Sequence, residues 1–430
     1  MSFVSPFIQR HHVGRWYALL ALVSIAGAGI AAATEGVAFH EAVRLAVERA
    51  PILDARRSQI QAAREEAIRA AALPDPQLTL GIDNWPVTGA DAFDSRADEM
   101  TMKRIGFMQE FPARAARDAR QAVADREIEQ ATVLSIVEQL AVRQSAAAAW
   151  IAQWTAERQL ESLTALREQS ALAVRLTEAR LASGSASATD SLAAQAAGLE
   201  LENRIDAAHA DVAAARGSLA RWLGVDPAES VTAGAPPDLT KLPISEATLL
   251  ASVDRQRALL PWRSRAAVAE AELALAAAEK RPGWSLASSY GQRSGSLSDL
   301  LIVEVAVDLP LFAANRQDRG VAARRAELDA VAASHEEARR IQTEAVHHAL
   351  AEWDGLKRQV ARAESELLPL ASDRTRTAIA SYASGGALQP WLDARRDELE
   401  LRIEHDRRVA ELGRAWAGLA YLLPPMETSP

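Results

Sequence analysis

The 430 residues carry a formal net charge of −9 and no cysteine. There is therefore no basic field for nucleic acid, no disulfide, no thiolate metal site and no cysteine nucleophile. The acylated N-terminal cysteine of bacterial lipoproteins is also missing, so the expectation is a chain without a lipid anchor. The first residues read as a secretory signal, with Arg10, His11, His12 and Arg15, the apolar run Trp16 to Ile30, then Ala31-Ala32-Ala33. This places a signal peptide at 1–33 with cleavage near Ala33-Thr34. An uncleaved anchor is the competing reading, but the run falls short of the ~20 residues a spanning helix needs. No later stretch is apolar enough to span as a helix, so any further crossing must use strands.

The region that follows is rich in Ala, Glu and Arg, with long stretches free of Pro and Gly, the composition of long helices. A short helix is predicted over 39–72, ending at Leu73-Pro74-Asp75-Pro76. Strands follow from Gln77 to Asp83 and from Met100 to Phe111, as a hairpin. From Ala113 to Ala182 there is neither Pro nor Gly. An unbroken helix of about 70 residues is predicted there, on the order of 105 Å long at 1.5 Å per residue. Ser183-Gly184 makes a turn, and a short helix runs over 186–222 into a Pro/Gly-rich linker. The second half predicts a helix over 246–279 and a hairpin of Trp284 to Arg293 with Leu300 to Leu309. A long helix then runs from Arg316 to Ala383, interrupted by Gly320, Gly355 and Pro369, before the turn at Ser384-Gly385-Gly386 and a helix over 388–422.

These breaks occur twice in the same order. Pro76, Pro112 and Gly184 correspond to Pro282, Pro310 and Gly385. Gln109-Glu110-Phe111-Pro112 answers Val307-Asp308-Leu309-Pro310, and Arg180-Leu181-Ala182-Ser183-Gly184 answers Ser381-Tyr382-Ala383-Ser384-Gly385. The expected organisation is a tandem duplication: a first repeat over 39–224, a linker over 225–243, a second repeat over 244–423 and a tail over 424–430. Apolar residues recur at steps of three and four in the long helices, as in Val346, Leu350, Trp353, Leu356 and Val360, which an ordinary coiled coil also explains. The shorter helices are each about half as long, so stacked in pairs they make four equal helical columns.

The strands alternate. Leu301, Val303, Val305, Val307 and Leu309 share one face, with Glu304 and Asp308 on the other, and Leu78, Leu80 and Ile82 alternate with Thr79, Gly81 and Asp83. Their length approaches the ~9–11 residues a tilted transmembrane strand needs, and Trp85 and Trp284 stand at strand ends. A small soluble sheet with one buried face is the competing reading. Four strands cannot close a wide barrel and lipid does not tolerate open edges, so closure is expected from three copies, with twelve strands and twelve columns.

The duplicated plan from Phe39 to Leu423 resembles the TolC-like outer-membrane efflux proteins. The stretches Leu73-Pro74-Asp75-Pro76, Asp83-Asn84-Trp85-Pro86-Val87, Met100 to Pro112 and Val305 to Asp318 are similar to the heavy-metal, CzcC-like branch of that family. The resemblance implies a mainly α fold with a small membrane β-barrel: a homotrimer with a twelve-stranded barrel in outer-membrane lipid and a long helical tunnel in the periplasm. It also implies two partners, a periplasmic adaptor and an inner-membrane RND transporter. The expected activity is passive conduction, of heavy-metal cations in the family's manner, with a drug-efflux or type I secretion duct as the first alternative. A soluble periplasmic coiled-coil scaffold is the second.

No phosphate loop, HExxH or GxSxG motif is present, so neither an enzyme nor a cofactor is expected. His347 and His348 are adjacent on a helix and point in different directions, which disfavours chelation of one ion. In the family the turns at Gly184 and Gly385 close the tunnel, with acidic residues at the constriction. Asp190 and Asp393 are the positions that match, and Arg180 and Arg376, with Arg175 and Arg374 nearby, are candidates for ion pairs holding a closed state. Asp190 equally suits a capping role at the start of the following helix.

Overall fold

The structure is a computed structural model that describes residues 36–226, 232–293 and 297–425. The expected signal peptide at 1–33 and residues 426–430 of the expected tail lie outside the described residues. Helices α1 (Phe39–Arg49) and α2 (Pro51–Ala71) occupy the first predicted helix. They are two rather than one because a proline drives the residue before it out of the α region, and Ala50 accordingly sits at φ −68°, ψ 115°. Strands β1 (Gln77–Asp83) and β2 (Met102–Phe111) pair antiparallel.

The expected unbroken helix from Ala113 to Ala182 is divided into α3 (Arg114–Ala165) and α4 (Arg167–Ala182). A side chain from elsewhere in the chain meets the helix at this point. Arg395 donates from Nη2 to the Leu166 carbonyl at 2.7 Å and from Nη1 to Gln169 Oε1 at 2.6 Å. The Leu166 carbonyl still accepts from the Ser170 N–H at 3.1 Å, so Arg395 shares this rung of the ladder rather than replacing it. Helix α5 (Ala188–Leu223) ends at Gly224 in the left-handed conformation, φ 64°.

Beyond the linker, the helix expected over 246–279 is also split. Helix α6 (Glu246–Ala251) and a 3₁₀ turn at Val253–Arg255 precede α7 (Leu260–Ala278), whose first turn holds Pro261. Strands β3 (Trp284–Arg293) and β4 (Leu300–Val307) follow. The second long column consists of α8 (Gln317–Arg362), a π turn at Ala363–Leu367 and α9 (Leu368–Ala383). Pro369 explains the π turn, because it has no N–H for the Ser365 carbonyl and its ring crowds that oxygen, so the helix widens. Helix α10 (Gln389–Ala420) closes the fold.

The sheet order is β1-β2-β3-β4, antiparallel throughout. The helices attached to one end of it keep that order: α2 packs on α3, α3 on α7, and α7 on α8. Toward the helical turns, α5 packs on α3 and α4, while α10 packs on α3, α8 and α9. Three tryptophans pin the connecting segments to the columns. Trp150 Nε1 donates to the Val37 carbonyl at 2.8 Å, Trp353 Nε1 to that of Leu239 at 3.0 Å and Trp416 Nε1 to that of Lys241 at 2.7 Å. Phe39 meets Trp150 and Trp416 edge-on within the main apolar core. There α10 comes so close to α3 that a Cβ on Gly413 would lie 2.3 Å from Ile151.

Candidate functional site

The strand register sorts the sheet's side chains into two unlike faces. Leu78, Leu80 and Ile82 of β1 align with Ile105 and Phe107 of β2, with Leu286 and Tyr290 of β3, and with Leu301, Val303, Val305 and Val307 of β4. All are exposed, up to 72% for Leu301, and Leu309 continues the stripe just past the strand. Phe111 and Trp284 stack at 4.2 Å where this face meets the helices. The opposite face carries Thr79, Gly81 and Asp83, then Arg104, Gly106, Ser289, Gly291 and Glu304. Arg104 and Asp83 form an ion pair there at 3.1 Å. This side is mostly small and polar, with Met102, Met108, Leu300 and Ile302 among them, whereas the other is mostly apolar, interrupted by Lys103, Gln109, Ser288 and Gln292.

The two helical turns are built alike. In the first, the Ser185 N–H bonds the Arg180 carbonyl and the Gly184 N–H that of Leu181; in the second, Gly386 bonds Ser381 and Gly385 bonds Tyr382. This reciprocal pattern requires a left-handed residue after the helix. Gly184 and Gly385 supply it, at φ 71° and 107°.

Arg180 joins the two turns. Its Nη1 donates to the carbonyls of Tyr382 at 2.7 Å and Gly386 at 3.1 Å, and Nη2 to that of Ser185 at 3.0 Å. The guanidinium carbon lies 4.3 Å from the centre of the buried Tyr382 ring, which packs with Trp391, Leu388 and Ala173. The other candidates are placed separately. Asp190 accepts from the Ser187 N–H at 3.1 Å, while Ser187 Oγ accepts from the Asp190 N–H, so together they form the capping box of α5. Ser187 is therefore the cap and Asp190 its reciprocal partner, a pairing legible as S-x-x-D. Asp393 is held by Gln389 at 2.9 Å and by Arg396 at 3.3 Å. Arg376 pairs with Asp373 one turn away, and Arg374 with Asp397 across to α10 at 2.7 Å. The tie made by Arg180 was not legible in sequence, because its acceptors in the second turn are backbone carbonyls 202 and 206 residues away.

Exposed leucines stand on the outermost helices of the wall. Leu192 and Leu199 lie on α5 at one edge, and Leu370 lies on α9 at the other, each about two-thirds exposed. His347 and His348 are on α8. Among the described residues no group of three or more His, Cys, Asp or Glu stands together as a metal site, and no helix is long and apolar enough to cross a membrane.

No family model matches the sequence, and none of the curated proteins matches it. Solved structures do. The outer-membrane channel OprN is similar at a TM-score of 0.74 and 18% identity, covering 89% of each chain. The chain has a TolC-like fold. A membrane protein from Pseudomonas aeruginosa is similar at 0.75 and 19% identity, over 90% of this chain and 92% of that one. CusC, described for its transmembrane channel formation, is similar at 0.73 and 16% identity, over 90% and 92%. At such identities the likeness is one of fold, and what the TolC-like fold does here rests on the faces and turns described above.

Proposed function

We propose that three copies of this chain close into a passive outer-membrane exit duct of a tripartite efflux pump, its strands in lipid and its helices forming a tunnel in the periplasm. The observation that carries this reading is the sheet's exposed, mostly apolar face, which no helix among the described residues covers. Beta strands in hydrocarbon must have no free edge, and among the described residues β1 and β4 each pair on one side only. Four strands alone would enclose almost nothing. Twelve strands about 4.8 Å apart and tilted ~40° give a backbone diameter of roughly 24 Å, wide enough for a channel. The stacked Phe111 and Trp284 suit the headgroup level of one leaflet, and Trp85 and Tyr290 that of the other.

The edge leucines support closure of the helical part. Leu199 lies 11 residues from the start of α5 and Leu370 lies 13 from the end of α9, so at 1.5 Å per residue they stand roughly 17 and 20 Å from their turns. Neighbouring copies set side by side bring them to one height. A periplasmic adaptor and an inner-membrane RND transporter complete the pump in this reading. Asp190, Asp393, Arg180 and Arg376, around the turns at Gly184 and Gly385, are its gate candidates. Of these, Arg180 is best supported, since it alone bridges both turns.

For the passenger we propose heavy-metal cations, on the four stretches similar to the CzcC-like branch; organic solutes or peptides would fit the same duct. The deciding experiment is outer-membrane fractionation with gel mobility before and after boiling. A heat-sensitive trimer is expected, and a monomer in the soluble periplasmic fraction would overturn the duct. Metal sensitivity of a deletion strain across zinc, cobalt, cadmium, copper and silver tests the passenger, and unchanged tolerance to all five removes the metal reading.

A further inference from the structure

We propose that the segment 309–312 is an interfacial membrane anchor, and that Arg281 and Arg316 beside it hold the phosphate of an anionic phospholipid in the periplasm-side leaflet. This rests on the sheet lying in lipid, as read above. Leu311 and Phe312 are 76% and 78% exposed, the two most exposed large apolar side chains among the described residues. Both follow closely on Leu309, the last member of the sheet's apolar stripe, itself 66% exposed. The backbone fixes this segment without covering it. The Asp308 N–H bonds the Gly283 carbonyl at 3.1 Å, and the Leu311 N–H bonds that of Leu309 at 2.9 Å across Pro310. A 3₁₀ turn at Ala313–Asn315 then leads into α8.

Beside the segment, the strand ends and the helix starts border a hollow of about 710 Å³. Phe111, Trp284 and Leu309 supply its apolar wall, and Arg281 and Arg316 line the same space. Both arginines are exposed, and neither guanidinium has an ion-pair or hydrogen-bonding partner among the described residues. The same holds for Arg319, three residues further along. The neighbouring cations are paired instead: Arg120 with Glu279 at 3.7 Å, Arg114 with Asp118 at 3.8 Å and Lys280 with Asp318 at 2.5 Å. The hollow's other acids belong to the opposite face of the sheet. Glu110 shares the register of Arg104 and Gly106, and Asp308 continues that of Glu304 and Ala306.

The headgroup layer of a bilayer suits both halves of this surface. Leucine and phenylalanine reach into the acyl region, while arginine, whose fork matches two phosphate oxygens, stays at the polar level. The apolar stripe of β4 crosses the hydrocarbon in this reading, so the residues just past it emerge where Phe111 and Trp284 stack. With the nearby acids paired or on the other face, the site carries net positive charge, which favours an anionic headgroup over a zwitterionic one. The core of a protein interface, by contrast, is depleted of charge. A neighbouring copy would present Leu73-Pro74-Asp75-Pro76 at this level, one carboxylate for three guanidinium groups.

The chain has no cysteine, so a nitroxide label enters singly at Phe312→Cys or Val303→Cys in the full-length protein, reconstituted into phosphatidylcholine vesicles containing phosphatidylglycerol. Electron paramagnetic resonance then compares collisions with oxygen, which concentrates in the bilayer, and with a nickel chelate, which stays in water. Oxygen alone should relax the label at Val303, and at Phe312 oxygen should dominate with partial access for nickel. Shielding of the Phe312 label from both would place a neighbouring copy over it, and nickel access alone would place it in water; each overturns the anchor. Nickel access at Val303 would overturn the lipid-facing sheet, and the proposal with it. Native mass spectrometry tests the phosphate site. The unsubstituted protein should retain phosphatidylglycerol over phosphatidylcholine, and Arg281→Gln with Arg316→Gln should cut that preference by about tenfold or more, while Arg114→Gln keeps it. An undiminished preference in the double variant overturns the site. Inorganic phosphate without lipid should leave no specific adduct, and an adduct that the double variant loses would assign the site to a free anion instead.

Discussion

Gly385 and Gly386 sit side by side for different reasons, and substitution separates them. Gly385 needs its positive φ and has open space around it, so Gly385→Ala costs about 1–2 kcal/mol of left-handed strain. At Gly386 a Cβ would lie 2.8 Å from the Ser381 carbonyl oxygen, so the turn itself must open. Thermal dissociation on gels should fall slightly for the first and further for Gly386→Ala. Asp406 makes a pH-dependent prediction. Its folded pKa is raised, to about 6 from 3.8, so the folded state binds the proton more tightly than the unfolded chain. Its contribution to stability is then fully present below about pH 4 and lost as pH rises through 6. Asp406→Asn should raise the melting temperature at pH 8, through an effect on the order of 3 kcal/mol, and change it little at pH 4. Equal effects at both pH values would show that packing, rather than ionisation, governs the site.

Among the elements, α5 and α9 form the open edges of the helical wall near the turns, and their leucines have no cover among the described residues. A leucine buried in an interface contributes roughly 1.5–3 kcal/mol, so Leu370→Asp should weaken assembly strongly, and Leu199→Asp likewise. Analytical ultracentrifugation in mild detergent would register the loss as dissociated chains, with helical circular dichroism unchanged. The helix boundaries carry a related lesson. Pro51 and Pro261 divide their helices by local chemistry that a reader of the sequence can find. The break at Leu166 has no such mark. It coincides with the contact from Arg395, 229 residues away, and no local propensity encodes a side chain arriving from another helix.

At the scale of the whole molecule, the two faces of the sheet predict opposite responses to charge. Val303→Arg sets a guanidinium on the apolar face, where each copy meets a penalty of about 2–4 kcal/mol at a bilayer midplane. Glu304→Gln, the next residue, changes only the polar face. The first should abolish the heat-sensitive trimer in outer-membrane fractions and the second should leave it intact. If both variants assembled alike, the apolar face would not be facing lipid.

Period-two alternation in the strands, period-3.6 spacing in the helices, and the glycines of the two turns are properties of neighbouring residues. The sequence by itself therefore determined β1 and β3 residue for residue, the long helical columns and both turn positions. Which strand lies beside which, and hence that the apolar residues of all four share one face, depends on pairing across some 200 residues. So do the bridge from Arg180 to the second turn and the burial of Asp406 between α3, α10 and the π turn. Only the tertiary structure decided these, because a hydrogen bond to a backbone carbonyl or a desolvated charge leaves no periodic trace in the chain that makes it.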